Sequence, residues 1–354
     1  MTPGWWKGRG VFVTGHTGFK GAWLCMLLHH LGAKVHGFSL PPPTNPSLFD
    51  LARIGELAST TIGDVRDPAA LQSALRQSEA PIVLHMAAQS LVRESCRDPV
   101  GTYSTNVMGT VNLLEAVRLA GDQVRAVVVV TTDKCYENRE WVWGYRENEP
   151  MGGHDPYSNS KGCAELVTAA YRSSFFARTS TAVASARAGN VIGGGDWAAD
   201  RLIPDMIRAF AQGTPVVIRN PKSIRPWQFV LEPLAGYLTL AERLFDDGRA
   251  FAGPFNFGPR DTDARPVEWI VNRLVEQWGS GAGWKLAAGE QPHEANHLKL
   301  DISKAGSRLG WSPRTDLGLA LRWITDWYKA LDRSEDVRAV STGQIAAFLA
   351  EPEA

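Results

Sequence analysis

Gly15, Gly18 and Gly21 fall three residues apart, directly behind the β-rich run Val11-Phe12-Val13-Thr14. Ahead of them apolar residues recur at helical spacing from Phe19 to Leu31, and Gly32 is placed to end that helix. A strand, a glycine turn and a helix in this order restrict the chain to few folds. The first glycine permits the tight turn, the second lets a pyrophosphate approach the backbone, and the third lets helix and strand pack closely. In this setting a dinucleotide site is a stronger explanation than an ordinary glycine-rich turn. Gly15, His16, Thr17, Gly18, Phe19, Lys20 and Gly21 are the cofactor contacts it predicts.

The alternation continues. Lys34 to Leu40 reads as a second strand, Thr60 to Asp64 as a third and Ile82 to Ala87 as a buried fourth; Pro68 opens a helix between the last two. A long helix fits Pro99 to Ala120, with Val107, Val111, Leu114 and Val117 along one stripe, and Pro156 opens another helix. Ala126 to Thr131 is apolar on both faces, as a central parallel strand requires. The predicted fold is α/β, a doubly wound parallel Rossmann sheet with a smaller mixed C-terminal substrate domain. Residues 1–190, rejoined by 226–259, are expected to bind the dinucleotide, and 191–225 with 260–354 the substrate. Prolines punctuate that second half, with helices predicted at Arg201 to Gln212, Val230 to Phe245, Val267 to Trp278 and Leu317 to Leu331. Leu298 to Asp301 reads as a strand, and the apolar patch Ile345 to Leu349 as a docking helix in a polar tail.

Composition excludes some partners. Lys+Arg and Asp+Glu balance at 37 each, so no global field draws the chain to nucleic acid or an anionic membrane. An anionic ligand must then be held by local arginines, and Arg187, Arg219 and Arg225 are the candidates; Trp227, beside Pro226, offers a stacking surface. Cys25, Cys96, Cys135 and Cys163 are scattered, which predicts free thiols and a cytoplasmic protein. His293-Glu294-Ala295-Asn296-His297 matches a zinc-protease string, but Pro292 precedes it and a strand pattern follows. The helix that motif needs is missing, so no metal is expected.

The chemistry concentrates at Tyr157 and Lys161, one helical turn apart, and at Thr132-Asp133-Lys134. A lysine charge beside a phenol lowers its pKa, giving a base for a substrate hydroxyl. An acid at the end of the second strand, usual for an NAD ribose, is absent from Gly37-Phe38-Ser39-Leu40. Lys20 and Ser39 would tolerate a 2′-phosphate, which leaves NAD and NADP both open. Asp64-Val65 suits an adenine edge, and Asp64 equally suits a turn cap.

With these stand His85-Met86-Ala87-Ala88-Gln89, Asn106 with Gly109-Thr110, Arg187-Ala188-Gly189-Asn190-Val191, Gly193-Gly194-Gly195-Asp196-Trp197 and Ile224-Arg225-Pro226-Trp227-Gln228. From Gly8 to Pro313 the chain resembles the extended short-chain dehydrogenase/reductase family, in its branch acting on nucleotide sugars. The resemblance implies a nicotinamide cofactor, NAD first, and CDP-glucose as substrate, dehydrated at C6 by an internal redox cycle. It makes Tyr157 the base at the sugar 4-hydroxyl, Thr132 a hydrogen-bond partner of the same oxygen, and Lys161 the holder of the nicotinamide ribose. Asp133 becomes the proton donor at C6. Lys134 stands where dTDP-glucose enzymes have the glutamate that serves as C5 base. The resemblance adds Ser39, Asp64, Val65, Ala87, Ala88, Gln89 and Asn106 to the cofactor site. For the substrate it implies Gln89, Arg187, Asn190, Arg201, Leu202, Ile203, Arg219, Arg225, Trp227 and His293. It also implies a homodimer or higher homo-oligomer built on helices Pro99–Ala120 and Pro156–Phe176. A nucleotide-sugar 4-epimerase and a catalytically silent dinucleotide-binding regulator are the alternatives.

Overall fold

The computed structural model describes residues 1–279, 281–288 and 297–350. Its large sheet is built from β1 (Gly10–Thr14), β2 (Lys34–Ser39), β3 (Ala58–Ile62), β4 (Ile82–His85), β5 (Ala126–Val130) and β6 (Ala182–Ala188). Beyond these, β7 (Asn190–Ile192), β8 (Val216–Ile218) and β9 (Ile224–Phe229) belong to small sheets. The chain then returns with β10 (Pro254–Phe257) to the free edge of β6, and β11 (Ala264–Pro266) and β12 (Trp284–Leu286) complete the small sheets. The seven-stranded order is β10-β6-β5-β4-β1-β2-β3, parallel throughout.

Alternation along each strand feeds two cores. Val11, Val13, Leu84 and Val128 join Trp23 and Leu27 of the helix Phe19–His30 in one; Phe12, Val83, Val127 and Val129 join Leu113 and Val117 in the other. Strands apolar on both faces are what helices on both sides of a sheet require. Strand order reverses between β1 and β4, so the crevice at their carboxyl ends is the place for a ligand.

The helix predicted from Pro99 to Ala120 carries a π turn at Ser104–Met108, which lies against the helix Pro156–Tyr171. Its buried side is Thr102, Asn106, Thr110, Leu113, Leu114 and Val117, whereas Val107 and Val111 are half-buried. Leu298 to Asp301 does not form a strand; Leu300 alone bridges to Tyr145, inside an aromatic cluster with Tyr136. The tail helix Val337–Ala350 docks on the main core through Val337, Ile345 and Phe348, with the Trp327 indole donating to Ser341 Oγ at 2.9 Å. In the small sheets β9 lies between β7 and β11, and β8 pairs with β12. All four cysteines are free thiols. Among the described residues no helix is long and apolar enough to cross a membrane, and no cluster of histidine, cysteine and carboxylate side chains could hold a metal. His293, the first residue of the zinc-protease string, lies outside the described residues.

Candidate active site

The glycine turn packs tightly on two sides. At Gly15, with φ +79°, a Cβ would lie 2.7 Å from the Ala87 nitrogen, and at Gly21 it would lie 2.1 Å from the Gly15 carbonyl oxygen. At Gly18 a Cβ would meet nothing nearer than the Gly15 carbonyl oxygen at 3.5 Å, so this residue faces open space. Gly18 is also the N-cap of the helix Phe19–His30 and supplies no side-chain cap, so the first helical amides stay available to an anion. This cradle fits a dinucleotide pyrophosphate.

The side chains of the turn are used differently from what its sequence suggests. The His16 ring lies where a Cβ on Gly37 would sit, 2.3 Å away, and its Nε2 pairs with Thr60 Oγ1 at 3.1 Å. Burial lowers its pKa to about 4, so the ring is neutral, and Nδ1 is the ring nitrogen left without a protein partner. Thr17 Oγ1 pairs with Ser39 Oγ at 2.8 Å and donates to the Leu40 carbonyl at 2.9 Å. Lys20 Nζ donates to the Tyr237 hydroxyl at 3.0 Å. Neither Ser39 nor Lys20 is therefore poised for a 2′-phosphate: one is paired, and the other is tied to a helix more than two hundred residues away. Asp64 closes its own turn by accepting from Arg66 at 2.5 Å, a bond that holds its carboxyl below the usual range; Val65 is buried beneath Gly109.

At the end of β4, Thr14 Oγ1 pairs with His85 Nδ1 at 2.7 Å and accepts from the Met86 and Ala87 amides. Burial lowers the His85 pKa to about 3, and the Lys161 charge adds to the effect. Ala87 and Ala88 are half-buried beside the glycine turn. Asn106 Oδ1 accepts from the Gln89 amide at 2.8 Å, while Nδ2 donates to the Gln89 carbonyl and to Ser160 Oγ, both at 2.9 Å. The Gln89 side chain is spent on Thr102 and Leu91. The Asn106 side chain thus ties the β4 loop to Ser160 of the tyrosine helix, and the Gln89 side chain ties it to Thr102 of the helix Pro99–Tyr103.

Asp155 caps the helix Pro156–Tyr171 by accepting from the Ser158 amide at 2.9 Å, which places Tyr157 in its first turn. Burial pushes the phenol up to about 12; a Thr132 hydrogen bond opposes this and the Asp133 charge adds to it. Lys161 lies on the same helix, one turn further on. Its Nζ reaches back to the Val130 carbonyl at 3.2 Å, and burial brings the ammonium down to about 8, with Glu165 opposing. Thr132 Oγ1 donates to Asp133 Oδ1 at 2.9 Å. Asp133 is 1 % exposed and its Oδ2 has no partner. Burial raises its carboxyl above the usual range, with the Lys134 and Arg225 charges and the Thr132 bond opposing. A carboxyl that retains its proton is a donor. Lys134, half-buried, is the next residue.

Arg201 enters the same site. It bonds Asp196 Oδ2 at 3.0 Å and Ser90 Oγ at 2.8 Å, and its charge acts on Tyr157. Leu202 and Ile203 follow in the helix Leu202–Ala211, and Asn190 opens β7 opposite Trp227. Arg219, half-buried after β8, is the fourth residue before Ser223 in the loop to β9. Arg187 is engaged by protein partners. It lies on β6, 3 % exposed, bonded to Glu165 at 2.8 Å, to the Tyr136 hydroxyl and to the Glu147 carbonyl. Trp227 is 6 % exposed and packs in the main core, so it offers no open stacking face. Tyr237 carries no sequence signal, its spacing reading as ordinary helix, and Asp196 lies in a glycine motif that assigned it no role of its own.

A family model described as GDP-mannose 4,6 dehydratase matches residues 12–248. The chain belongs to that family. It is 56 % identical over 349 residues to the CDP-glucose 4,6-dehydratase of Salmonella typhimurium, covering 97 % of both chains. It is 26 % identical to the dTDP-glucose 4,6-dehydratase of Streptomyces antibioticus, over 90 % of this chain and 92 % of that one. Among solved structures it resembles a UDP-glucose-4-epimerase from Stenotrophomonas maltophila with bound NAD (TM-score 0.80, 21 % identity, 92 % of this chain and 99 % of that one). It also resembles the dTDP-glucose 4,6-dehydratase of Bacillus anthracis in complex with NAD (TM-score 0.76, 19 % identity, 94 % and 100 %). At those identities the structures establish the fold.

Proposed function

We propose that the protein is a CDP-glucose 4,6-dehydratase, converting CDP-glucose to CDP-4-keto-6-deoxyglucose and water. The observation that carries this reading is the Asp133 carboxyl, buried beside Thr132 with one oxygen unpartnered, in a chain 56 % identical to a CDP-glucose 4,6-dehydratase. An epimerase needs no proton donor at C6.

Tyr157 takes the 4-hydroxyl proton, with Thr132 bonded to the same oxygen. A nicotinamide cofactor, when bound, would supply the hydride acceptor for C4 and the hydride donor for C6, so no outside redox partner would be consumed. Lys134 removes the C5 proton or stabilises the enolate by its charge. As the C6–O bond breaks, Asp133 gives its proton to the departing hydroxyl, and C5 regains a proton when C6 is reduced. Lys161 would hold the nicotinamide ribose, while Arg201 and Arg225 would bring positive charge to the nucleotide diphosphate. NAD is the favoured cofactor, because Lys20 and Ser39 are both engaged elsewhere.

The return of β10 to β6 supports assigning residues 1–190 and the later part of 226–259 to the dinucleotide-binding unit, with Pro226–Phe229 instead in the small sheet. The solvent face of helices Gly109–Ala120 and Pro156–Tyr171 exposes Leu119, Leu166 and the nearby Phe175, with Val100 and Met108 also exposed. A second copy covering it would make a four-helix dimer. Free thiols suit a reducing cytoplasm.

The test is incubation with CDP-glucose, dTDP-glucose, UDP-glucose and GDP-mannose, followed by 4-keto absorbance in base. The reading requires product from CDP-glucose above the others. A CDP-hexose epimer without that absorbance would establish the epimerase instead.

A further inference from the structure

Tyr157, Lys161 and Glu165 recur every fourth residue and share one face of the helix Pro156–Tyr171. Glu165 is buried, and each of its carboxylate oxygens is bonded. Oε1 accepts from the hydroxyl of Thr131, which precedes Thr132, the N-cap of the short turn Asp133–Cys135. Oε2 accepts from Ser185 Oγ at 2.6 Å and from Arg187 Nη2 at 2.8 Å, both on β6. Arg187 Nη1 in turn donates to the Tyr136 hydroxyl at 2.7 Å, and Tyr136 is the C-cap of the same turn. Both ends of the segment that carries Thr132 and Asp133 therefore finish on one buried ion pair. Asp133 itself is held from inside the segment, by Thr132 on Oδ1, and its Oδ2 has no partner. Packing alone does not call for this pair, because apolar side chains of similar volume often hold a helix to a sheet equally well. Apolar side chains would receive neither hydroxyl.

We propose that Glu165 is a positioning residue for the dehydration: by holding Thr131 directly and Tyr136 through Arg187, it fixes the turn that carries Asp133 against the helix that carries Tyr157. The inference rests on Asp133 being the donor to the C6 hydroxyl. Tyr157 and Lys161 keep their mutual spacing through the helix itself, so oxidation at C4 depends little on this frame. Proton delivery at C6 depends on it more, because Asp133 rides on a three-residue turn and must meet a different carbon of the same sugar. A shift of about 1 Å at a reacting group can cost about 100-fold in rate. Thr132 rides on the same turn, so oxidation slows a little and dehydration much more when the frame is cut.

Replacing Glu165 itself would strand the Arg187 charge, so the experiment removes single hydroxyls and leaves the ion pair in place. Thr131→Val and Tyr136→Phe keep the bulk of each side chain. In single turnovers of the NAD-loaded enzyme with CDP-glucose, the rise of reduced-nicotinamide absorbance reads oxidation at C4, and its decay waits on dehydration. Each variant should slow the decay about tenfold or more while the rise changes by less than about threefold, and Thr131→Ser should keep the parent's decay. In the enzyme without cofactor, amide hydrogen exchange across Asp133–Cys135 should quicken in Thr131→Val and Tyr136→Phe. Thr131→Val added to Asp133→Asn should slow the decay no further, since it acts through the acid. Rise and decay slowed by the same factor, decay or exchange unaltered in either variant, or a further loss on top of Asp133→Asn would overturn the proposal. Decay at the parent's rate in Asp133→Asn would instead overturn the assignment of Asp133, which separates the two failures.

Discussion

The Thr132 hydroxyl donates to Asp133 Oδ1 at 2.9 Å while Asp133 Oδ2 stays buried without a partner. One carboxyl oxygen is thus held, and the other is the oxygen through which the proposed proton donation would run. Asp133→Asn keeps the shape and the hydrogen bond but removes the acid. Oxidation at C4 should continue and reduced nicotinamide should accumulate, while 6-deoxy product forms about 100-fold more slowly or worse. Rapid-scan absorbance with product chromatography measures both; equal loss of the two steps would give Asp133 a structural role.

Tyr157→Phe should lower turnover by about 1,000-fold or more while CDP-glucose affinity changes only a few-fold, since the phenol serves proton removal and little else. Steady-state kinetics and equilibrium binding check it. Near-normal turnover would move the base elsewhere.

Lys134 acts through a lone pair or through its charge. Lys134→Met should exchange the C5 hydrogen with deuterated solvent far more slowly than the parent while still oxidising C4. Lys134→Arg should fail to restore exchange if the amine must be neutral, because arginine stays protonated. Recovery of exchange in the arginine variant would show that the charge alone matters.

The Glu165–Arg187 pair joins the tyrosine helix to β6, with Thr131 and Ser185 also donating to the carboxylate. Burial pushes the Glu165 carboxyl up, but the Arg187 charge and these hydrogen bonds outweigh it and leave it below its usual value. A depressed carboxyl contributes stability above its unfolded pKa and loses it as pH falls through the folded value. The protein should therefore lose stability on acidification below about pH 4.3. Arg187→Met should cost about 3–5 kcal/mol in denaturant unfolding, by stranding a buried charge. The KM for CDP-glucose should move little; a large rise would return Arg187 to the substrate site.

Leu166→Asp, on the exposed face of the tyrosine helix, should shift the protein toward monomer in sedimentation without unfolding it. An unchanged mass would place any subunit contact elsewhere.

The glycine turn, the start at Pro156 of the helix carrying Tyr157 and the Thr132–Asp133 step were legible because each is set by neighbours within a few residues. Three features were not. β6 reads Ala-Val-Ala-Ser-Ala-Arg-Ala, too small and polar for a buried strand until Glu165 is known to neutralise Arg187. Trp227 follows Arg225 by two positions, yet the main core rather than an open ligand face receives its indole. Lys20 belongs to the glycine turn in sequence but to Tyr237 in space, a contact spanning 217 positions. Local pattern gives the backbone and the reacting groups; which charge meets which partner is decided by tertiary pairing.

The edge of β6 stays open until β10 is made, long after the tyrosine helix has left the ribosome. A nascent chain ending anywhere between them offers an unpaired parallel edge, with Asn256, the backbone partner of Arg187, still to come. Premature termination or proteolytic nicking in that interval therefore yields a fragment that holds every proposed catalytic side chain yet is prone to self-association. The enzyme cannot be divided into two consecutive, separately folding halves, and complementation by split genes should succeed only when the first piece extends past Phe257.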